Sequence, residues 1–477
     1  MNIRKLFFSL PLAALMVGAA PIAGCTDASR AQAAYDDYTA AASAGDMIAA
    51  RDALLKLVSI EEDVADYWTE LGKVQIALGS YSAAYYAFAR ASELDRSDPN
   101  VLRILTQLSL SSGNLDLANQ YARQLDLLSP GDPAVRMTYG IIAMRRGDLE
   151  GASRHAEQIL AIQPTYSDAK VLQAEVLLRS GKIEGAAAVL TEQIRVRPNE
   201  VLSYRALVNV YDLMGDRRRV ADLRKQIWAQ NPNDARAALD YIGAAFRAGD
   251  TAEARAASLS LLKPDAPPAQ ISATLDMWRE YWPGPARLEE ARRLSHPAGR
   301  EQKFAFAAFF NSVREPADAI RLVRSAARLP VSAENVRPNA IFATSLVLAG
   351  ELGAARARLH DILLLDPDNV EALRARTRLN LMTKARPAAI NDAQKLVSLT
   401  PASASDRLLL AQCYQANGDD RNARRVLWDA FNEIPADPNV YAALRNFLAR
   451  TGDMESVQQV DSEFAEQKKA MFTKIFA

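Results

Sequence analysis

Cysteine and histidine are scarce: this chain of 477 residues holds two of the first and three of the second. Two cysteines, Cys25 and Cys413, cannot make a disulfide framework. Cys413 stands where equivalent segments carry Ile76 and Ile142, so it reads as a buried, unreactive thiol rather than a redox or catalytic one. His155, His296 and His360 are far apart, with no glutamate or cysteine at ligand spacing, so no metal site is expected. No G-x-S-x-G, P-loop or dinucleotide fingerprint occurs, and the sequence names no catalytic residue and no cofactor. Charge of one sign is lacking too. Lys+Arg and Asp+Glu are 57 each, which gives no reason to expect nucleic acid as a partner. Aromatics make up only 7% of the residues, as suits closely packed helices. The longest apolar run near the start, Leu6 to Ala20, is too short to span a membrane as a helix.

What the chain has instead is a beat. Gly45, Gly79, Gly113, Gly147, Gly181, Gly215 and Gly249 fall at strict 34-residue intervals. The beat resumes at Gly350, meets a lysine at Lys384, and continues at Gly418 and Gly452. Such self-similarity decides the fold before any other signal. Each glycine suits the end of a first helix, where the chain turns through positive φ. Asp46, Asn114, Asp148, Asp216, Asp250, Asp419 and Asp453 follow the turns and suit caps of a second helix. Five residues after each turn stands a small side chain (Ala50, Ala84, Ala118, Ala152, Ala186, Ala254, Ala355, Ala389, Ala423), which permits close helix approach; Val220 and Val457 depart modestly. Prolines from Pro130 to Pro435 close the units, since proline cannot continue a helix interior. Asp98-Pro99, Asp132-Pro133 and Asp437-Pro438 read as a cap followed by proline at the first helical position.

With the glycine at position fifteen, residues 65–98 read Trp68-x2-Leu71-Gly72, then Gly79, then Ala84-x3-Phe88. That resembles the tetratricopeptide repeat, with Gln75 in place of the usual tyrosine, and the resemblance covers most of residues 31–471. It implies an all-α, right-handed superhelical solenoid of about thirteen helix–turn–helix repeats. Each repeat of such an array packs only on its neighbours, so 477 residues need no single core. The resemblance also implies a groove lined by first helices. Carried onto this chain, the groove positions include Arg103, Gln107, Met137, Arg145, Glu175, Arg179, Arg205, Asn209, Arg236, Phe246 and Arg247. The arginines would pair carboxylates of an extended peptide or an acidic polysaccharide, and Met137 and Phe246 would supply apolar anchors; ordinary solvated groove residues are the plainer reading. Arg205 and Asn209 match two positions of the family's carboxylate clamp, but Asp240 stands where that clamp expects asparagine, so this specificity is not expected.

The beat falters between Pro264 and Pro338. Counting back from Ala291 and Ala319 places two turns at Ala286 and Arg314. This yields seven regular repeats over 31–268, two degenerate ones over 269–335 forming a joint, and four over 336–471 that end in a polar capping helix. Trp278, Tyr281 and Trp282 lie in the joint, followed by Phe304, Phe306, Phe309 and Phe310. They fill an irregular core there or form an exposed interface patch. Arg217, Arg218 and Arg219, with Arg224 and Lys225, read as a solvated outer face or as a contact to anionic lipid or glycan. Residues 472–477 are an apolar tail, either folded back on the last repeat or a short docking peptide.

Residues 1–24 read as a signal peptide: Arg4 and Lys5, then the apolar run, then Ile22-Ala23-Gly24-Cys25. That ending resembles the lipobox of bacterial lipoproteins, which implies cleavage before Cys25, acylation there and a short linker over 25–30. Thr26 is not the aspartate associated with inner-membrane retention, so the periplasmic face of the outer membrane is the favoured address, before the periplasm or the outer leaflet of the inner membrane. The expected function is a non-enzymatic, lipid-anchored scaffold for protein or peptide partners in an envelope machine: exopolysaccharide export, pilus assembly or outer-membrane biogenesis. An adaptor that serves a glycan-modifying or secretion enzyme in trans, or a soluble periplasmic peptide binder, stays open, as does an anionic glycan partner.

Overall fold

The computed structural model describes residues 27–474, with side chains through Gln467. The signal peptide and Cys25 lie outside these residues, as does the end of the apolar tail. Among the described residues every regular element is an α-helix, and there are 26 of them, α1 (Asp27–Ala44) to α26 (Met454–Lys474). They form thirteen consecutive hairpins. α1 begins at Asp27, so residues 27–30, read above as linker, are helical.

The turns follow the glycine beat. Gly215 ends α11 (Val201–Met214) at φ 72°, and its N–H closes onto the carbonyl of Asp212. Arg314 and Lys384 hold the equivalent places at φ 63° and 59°, a left-handed conformation that L residues adopt only at a cost. Asp216, Asp148 and Asp419 each cap the following helix by accepting a backbone N–H three residues on. Asp250 makes no such bond. Asp98, Asp132 and Asp437 cap helices that open with proline.

The small residues mark where helices touch. Ala50, Ala84, Ala118, Ala152, Ala186, Ala254, Ala355, Ala389 and Ala423 are all fully buried. Gly72 shows the same logic more tightly: a Cβ there would stand 2.6 Å from a ring carbon of Phe88. The glycine of α3 (Ala65–Ala77) and the phenylalanine of α4 (Tyr81–Leu94) are thus one packing unit.

The helices fall into two compact units, residues 27–172 and 173–474, divided within α9 (Ser167–Arg179). In the first, Leu54, Leu57, Leu71 and Ala87 pack in one cluster and Phe88, Val101 and Leu105 in the next, a core repeated from hairpin to hairpin. In the second unit first helices also pack on first helices. α13 (Ala235–Ala248) meets α15 (Pro268–Tyr281), α15 meets α17 (Arg300–Ser312), and α17 meets α19 (Val336–Leu348). α19 meets α21 (Val370–Met382), which meets α23 (Ala404–Ala416), which meets α25 (Pro438–Arg450).

The irregular stretch has its own cause. The second helices there are short: α14 (Thr251–Leu261) and α16 (Pro285–Ser295) have 11 residues and α18 (Pro316–Val323) has 8, against 14 in α12 (Arg217–Gln230). Shortened helices cover less of the first-helix layer. Trp278, Phe304, Phe306, Phe309 and Phe310 fill the space and are buried in one cluster. The turn before α16 is at Gly284, φ 105°, and Ala286 lies inside the helix, because Pro285 starts it.

At the far end α26 buries Val457, Val460 and Phe464. Tyr441 stacks on Phe464 with ring centroids 4.1 Å apart, and Gln467 accepts the N–H of Ala436 at 2.9 Å.

Candidate binding grooves

The structure sorts the expected groove residues into two kinds. Several are already engaged. Arg103 lies 3.7 Å from Asp132 and donates to Asn100. Arg145 donates to the carbonyl of Leu110. Arg179 pairs with Glu175 at 2.9 Å. These arginines tie hairpins together or brace their own helix.

Arg205 and Asn209 are different. They sit one turn apart on α11 and line a groove of about 380 Å³ with Arg224 of α12 and Asp234, Arg236 and Asp240 beside and on α13. Val208, Ile227 and Ala237 give it an apolar floor. Arg205 and Arg236 are exposed and form no ion pair among the described residues. Asp234 is occupied in capping α13, where it accepts the N–H groups of Arg236 and Ala237. Arg224 is shared at long range between Asp240 (3.5 Å) and Asp212 (3.9 Å), and its buried Nε has no hydrogen-bond partner. Burial pushes the Asp212 carboxyl up from its ordinary value, against the pull of Arg224 and Arg247. Arg224 was expected on an outer face; its position seven residues into α12 turns it toward α11 and α13 instead. Lys225 does turn away, and pairs with Glu253 at 2.6 Å. Arg219 pairs with Asp216 and lies over Tyr211.

Of the two expected apolar anchors, Met137 is half-buried and Phe246 is in the core. Phe246 is 7% exposed and stacks on Tyr281, so it offers no apolar handle to a ligand. Arg247, exposed on the next position, hydrogen-bonds Tyr281. Trp278 is fully buried and meets Trp282 edge-on at 4.9 Å. Tyr281 and Trp282 are half-buried against the same cluster, with Arg255 over the Trp282 ring. Of these three residues Trp278 is interior, while Tyr281 and Trp282 keep part of their surface open.

Sequence reasoning missed a second basic line. In the unit that begins at Val370, positions two, five and nine are Glu371, Arg374 and Arg378 on α21, with Arg337 at position two of α19. The register that places Arg205 and Asn209 on α11 places these residues too. Arg374 grips Asp406 with both nitrogens at 2.6 Å. Burial opposes ionisation of Asp406, yet Arg374, Ser403 and Thr400 outweigh it and hold the carboxyl below the usual range. Glu371 is the reverse case: burial pushes its carboxyl up to about 7 in spite of Arg374 and Arg337. A further groove of about 280 Å³ follows on α23 to α25, lined by Gln412, Gln415, Asn446 and Arg450.

Among the described residues no group of three His, Cys, Asp or Glu is placed to hold a metal. Cys413 is buried, and burial followed by the charge of Asp392 pushes its thiol up to about 12, far from a reactive thiolate. Among the described residues no helix is long and apolar enough to cross a membrane.

Residues 143–209 match the family described as Tetratricopeptide repeat. No curated protein matches the chain. Among solved structures, a tetratricopeptide repeat protein from Parabacteroides merdae is 13% identical and aligns over 56% of this chain and 98% of its own, with a TM-score of 0.41. A structure of pilF from Pseudomonas aeruginosa is 16% identical over 45% of this chain and 96% of its own, with a TM-score of 0.32. MamA from Desulfovibrio magneticus is 15% identical over 36% and 97%, with a TM-score of 0.33. The chain is an all-α array of helical hairpins whose residues 143–209 match the tetratricopeptide repeat family.

Proposed function

We propose that this chain is a non-enzymatic interaction scaffold whose first helices form the working surface, and that a lipid at Cys25 holds it in the cell envelope. The observation that carries the binding reading is the α11–α13 groove. Two exposed guanidiniums, Arg205 and Arg236, stand there with no ion pair among the described residues around an apolar floor, with Asn209 able to donate and accept beside them. Such a surface suits an extended acidic peptide: charge-assisted hydrogen bonds give orientation, and the floor removes apolar area from water. The address rests on Arg4, Lys5, the run from Leu6 to Ala20 and Ile22-Ala23-Gly24-Cys25. A scaffold at the periplasmic face of the outer membrane would serve an assembly or export machine, such as pilus assembly or exopolysaccharide export.

Two measurements test this. Crosslinking in intact cells, followed by purification of the chain, should capture discrete partners, and Arg205→Ala with Arg236→Ala should reduce that capture about tenfold with helicity unchanged. Equal capture removes the groove from the account. Cys25→Ser should move the protein from the membrane to the soluble fraction; retention in the membrane fraction contradicts the anchor.

A further inference from the structure

In the first unit, residues 27–172, loops of two to four residues join the helices, so neighbours run antiparallel and every first helix starts at the same edge. That edge holds the start of α1 and the loops that follow α2 (Met47–Ile60), α4, α6 (Leu115–Leu128) and α8 (Leu149–Ile162). The second helices end there on Ile60, Leu94, Leu128 and Ile162, one every 34 residues. Ile60 and Leu94 are half-buried. Leu128 is 44% exposed, Ile162 65% and Leu127 82%, so these three side chains add little to the core.

The charge of the loops runs the other way. Glu61, Glu62 and Asp63 lie in the first, and Asp95, Arg96 and Asp98 in the second. The third has only Asp132, which caps the next helix, and the fourth, Gln163-Pro164-Thr165-Tyr166, has no charge. The edge thus loses its charge where its apolar side chains are most exposed. Large apolar side chains in water on successive hairpins, clear of charge, mark a surface that something else covers.

The chain itself indicates what covers it. Cys25 lies outside the described residues but precedes α1 by two residues, so a lipid there is at most about 7 Å of chain from the start of α1. A bilayer that holds Cys25 therefore meets this edge before the one that carries the glycine turns. Trp68, in the first turn of α3, and Tyr166, in the fourth loop, place half-buried rings at the same edge, and both residue types suit headgroup depth. The opposite edge exposes Ile48 and Tyr81 on the first two hairpins, but Leu115 and Leu149, in the register of Tyr81, are half-buried.

We propose that Leu127, Leu128 and Ile162 rest in the headgroup region of a zwitterionic bilayer, so that the first unit lies along the membrane instead of standing away from it. This rests on the reading of Cys25 as a lipid anchor and extends it. Three side chains bind a bilayer weakly, and the contact forms because the anchor supplies a high local concentration of membrane. Zwitterionic lipid is favoured because the carboxylates of the first two loops oppose an anionic surface.

The test places the mature, lipid-bearing chain in vesicles of phosphatidylethanolamine and phosphatidylcholine, with one photo-crosslinking residue at Leu127, Ile162 or Ile48. Mass spectrometry should find lipid adducts from positions 127 and 162 and none from position 48. Leu128→Ser with Ile162→Ser, both at exposed sites that leave the fold in place, should remove the adduct from position 127 while the chain stays on the vesicles. Phosphatidylglycerol added at low salt should lower the yield. An unchanged adduct in the double variant, adducts from position 48 alone, or a yield that rises with phosphatidylglycerol overturns the contact. Protein adducts without lipid adducts from the same positions in intact cells give the edge to a protein partner and overturn it too. If the chain carries no lipid of its own, Cys25 is coupled to a maleimide lipid, to which the buried Cys413 does not react. Adducts from 127 and 162 after coupling then uphold the edge although the cellular anchor has failed, and their absence overturns it.

Discussion

Phe246 and Tyr281 stack face to face, with ring centroids 5.9 Å apart and planes 15° from parallel. The pair joins α13, the last first helix of the regular repeats, to α15, the first of the irregular ones. It is a covalent-free rivet at the place where the 34-residue beat fails. Phe246→Ala should cost about 3–5 kcal/mol, the usual loss for a buried phenylalanine with incomplete collapse around it. Urea unfolding of the variant checks this, and a change within about 0.5 kcal/mol would place Phe246 outside the core.

Lys384 stands in the beat where its neighbours have glycine, at φ 59°. An L residue in that conformation costs about 1–2 kcal/mol, and glycine gives back part of the gain through its freer unfolded chain. Lys384→Gly should therefore raise stability by about 0.5–1 kcal/mol. Gly418→Ala, at φ 76°, should lower it by about 1 kcal/mol. Shifts of the same sign in both variants would contradict this account of the turn.

Glu371 sets a pH dependence. Its carboxyl titrates at about 7 in the fold against an ordinary 4.5. A raised folded value means that the folded chain holds the proton more tightly, so this contribution is complete below 4.5 and is lost as pH rises through 7. Glu371→Gln removes the dependence. The variant and the unaltered chain should unfold alike at about pH 4, and the variant should be more resistant to urea at about pH 8. Parallel curves across that range would mean that Glu371 is solvated.

Arg374 and Asp406 form a two-bond charged pair, both contacts at 2.6 Å, with the Asp406 side chain 1% exposed. Removing one member leaves a buried charge without compensation. Arg374→Ala should cost about 3–5 kcal/mol, and the loss should shrink when Asp406 is also replaced. A double-mutant cycle reads the coupling; additive losses would show that the two act independently.

Much of this fold is legible in the chain because the same physical demand recurs. Gly215 must turn left-handed, Ala118 must let a helix come close, and Pro99 must start one; each type follows from backbone geometry alone. The count of hairpins and the turn at Arg314 follow as well. The structure puts the turn at Gly284, two residues before the Ala286 that spacing from Ala291 indicates, because α16 begins directly after its turn. Phe246 was less legible, since register places it on the groove face while the structure buries it in the cluster that also holds Trp278, one of the two places the sequence allows for Trp278. The grooves themselves were half visible. Arg205 and Asn209 could be found by position, but which arginines are free depends on partners such as Asp132 for Arg103. Those pairings arise from the folded chain and have no local pattern.

The claim at the centre is that first helices, and the α11–α13 groove in particular, are where partners bind. A photo-crosslinking residue at Asn209, in the groove, and at Leu127, which is 82% exposed on α6 (Leu115–Leu128), tests it in intact cells. The account predicts discrete crosslinked partners from position 209 that disappear with Arg205→Ala and Arg236→Ala, and none shared with position 127. Crosslinks to the same proteins from position 127 alone would contradict it.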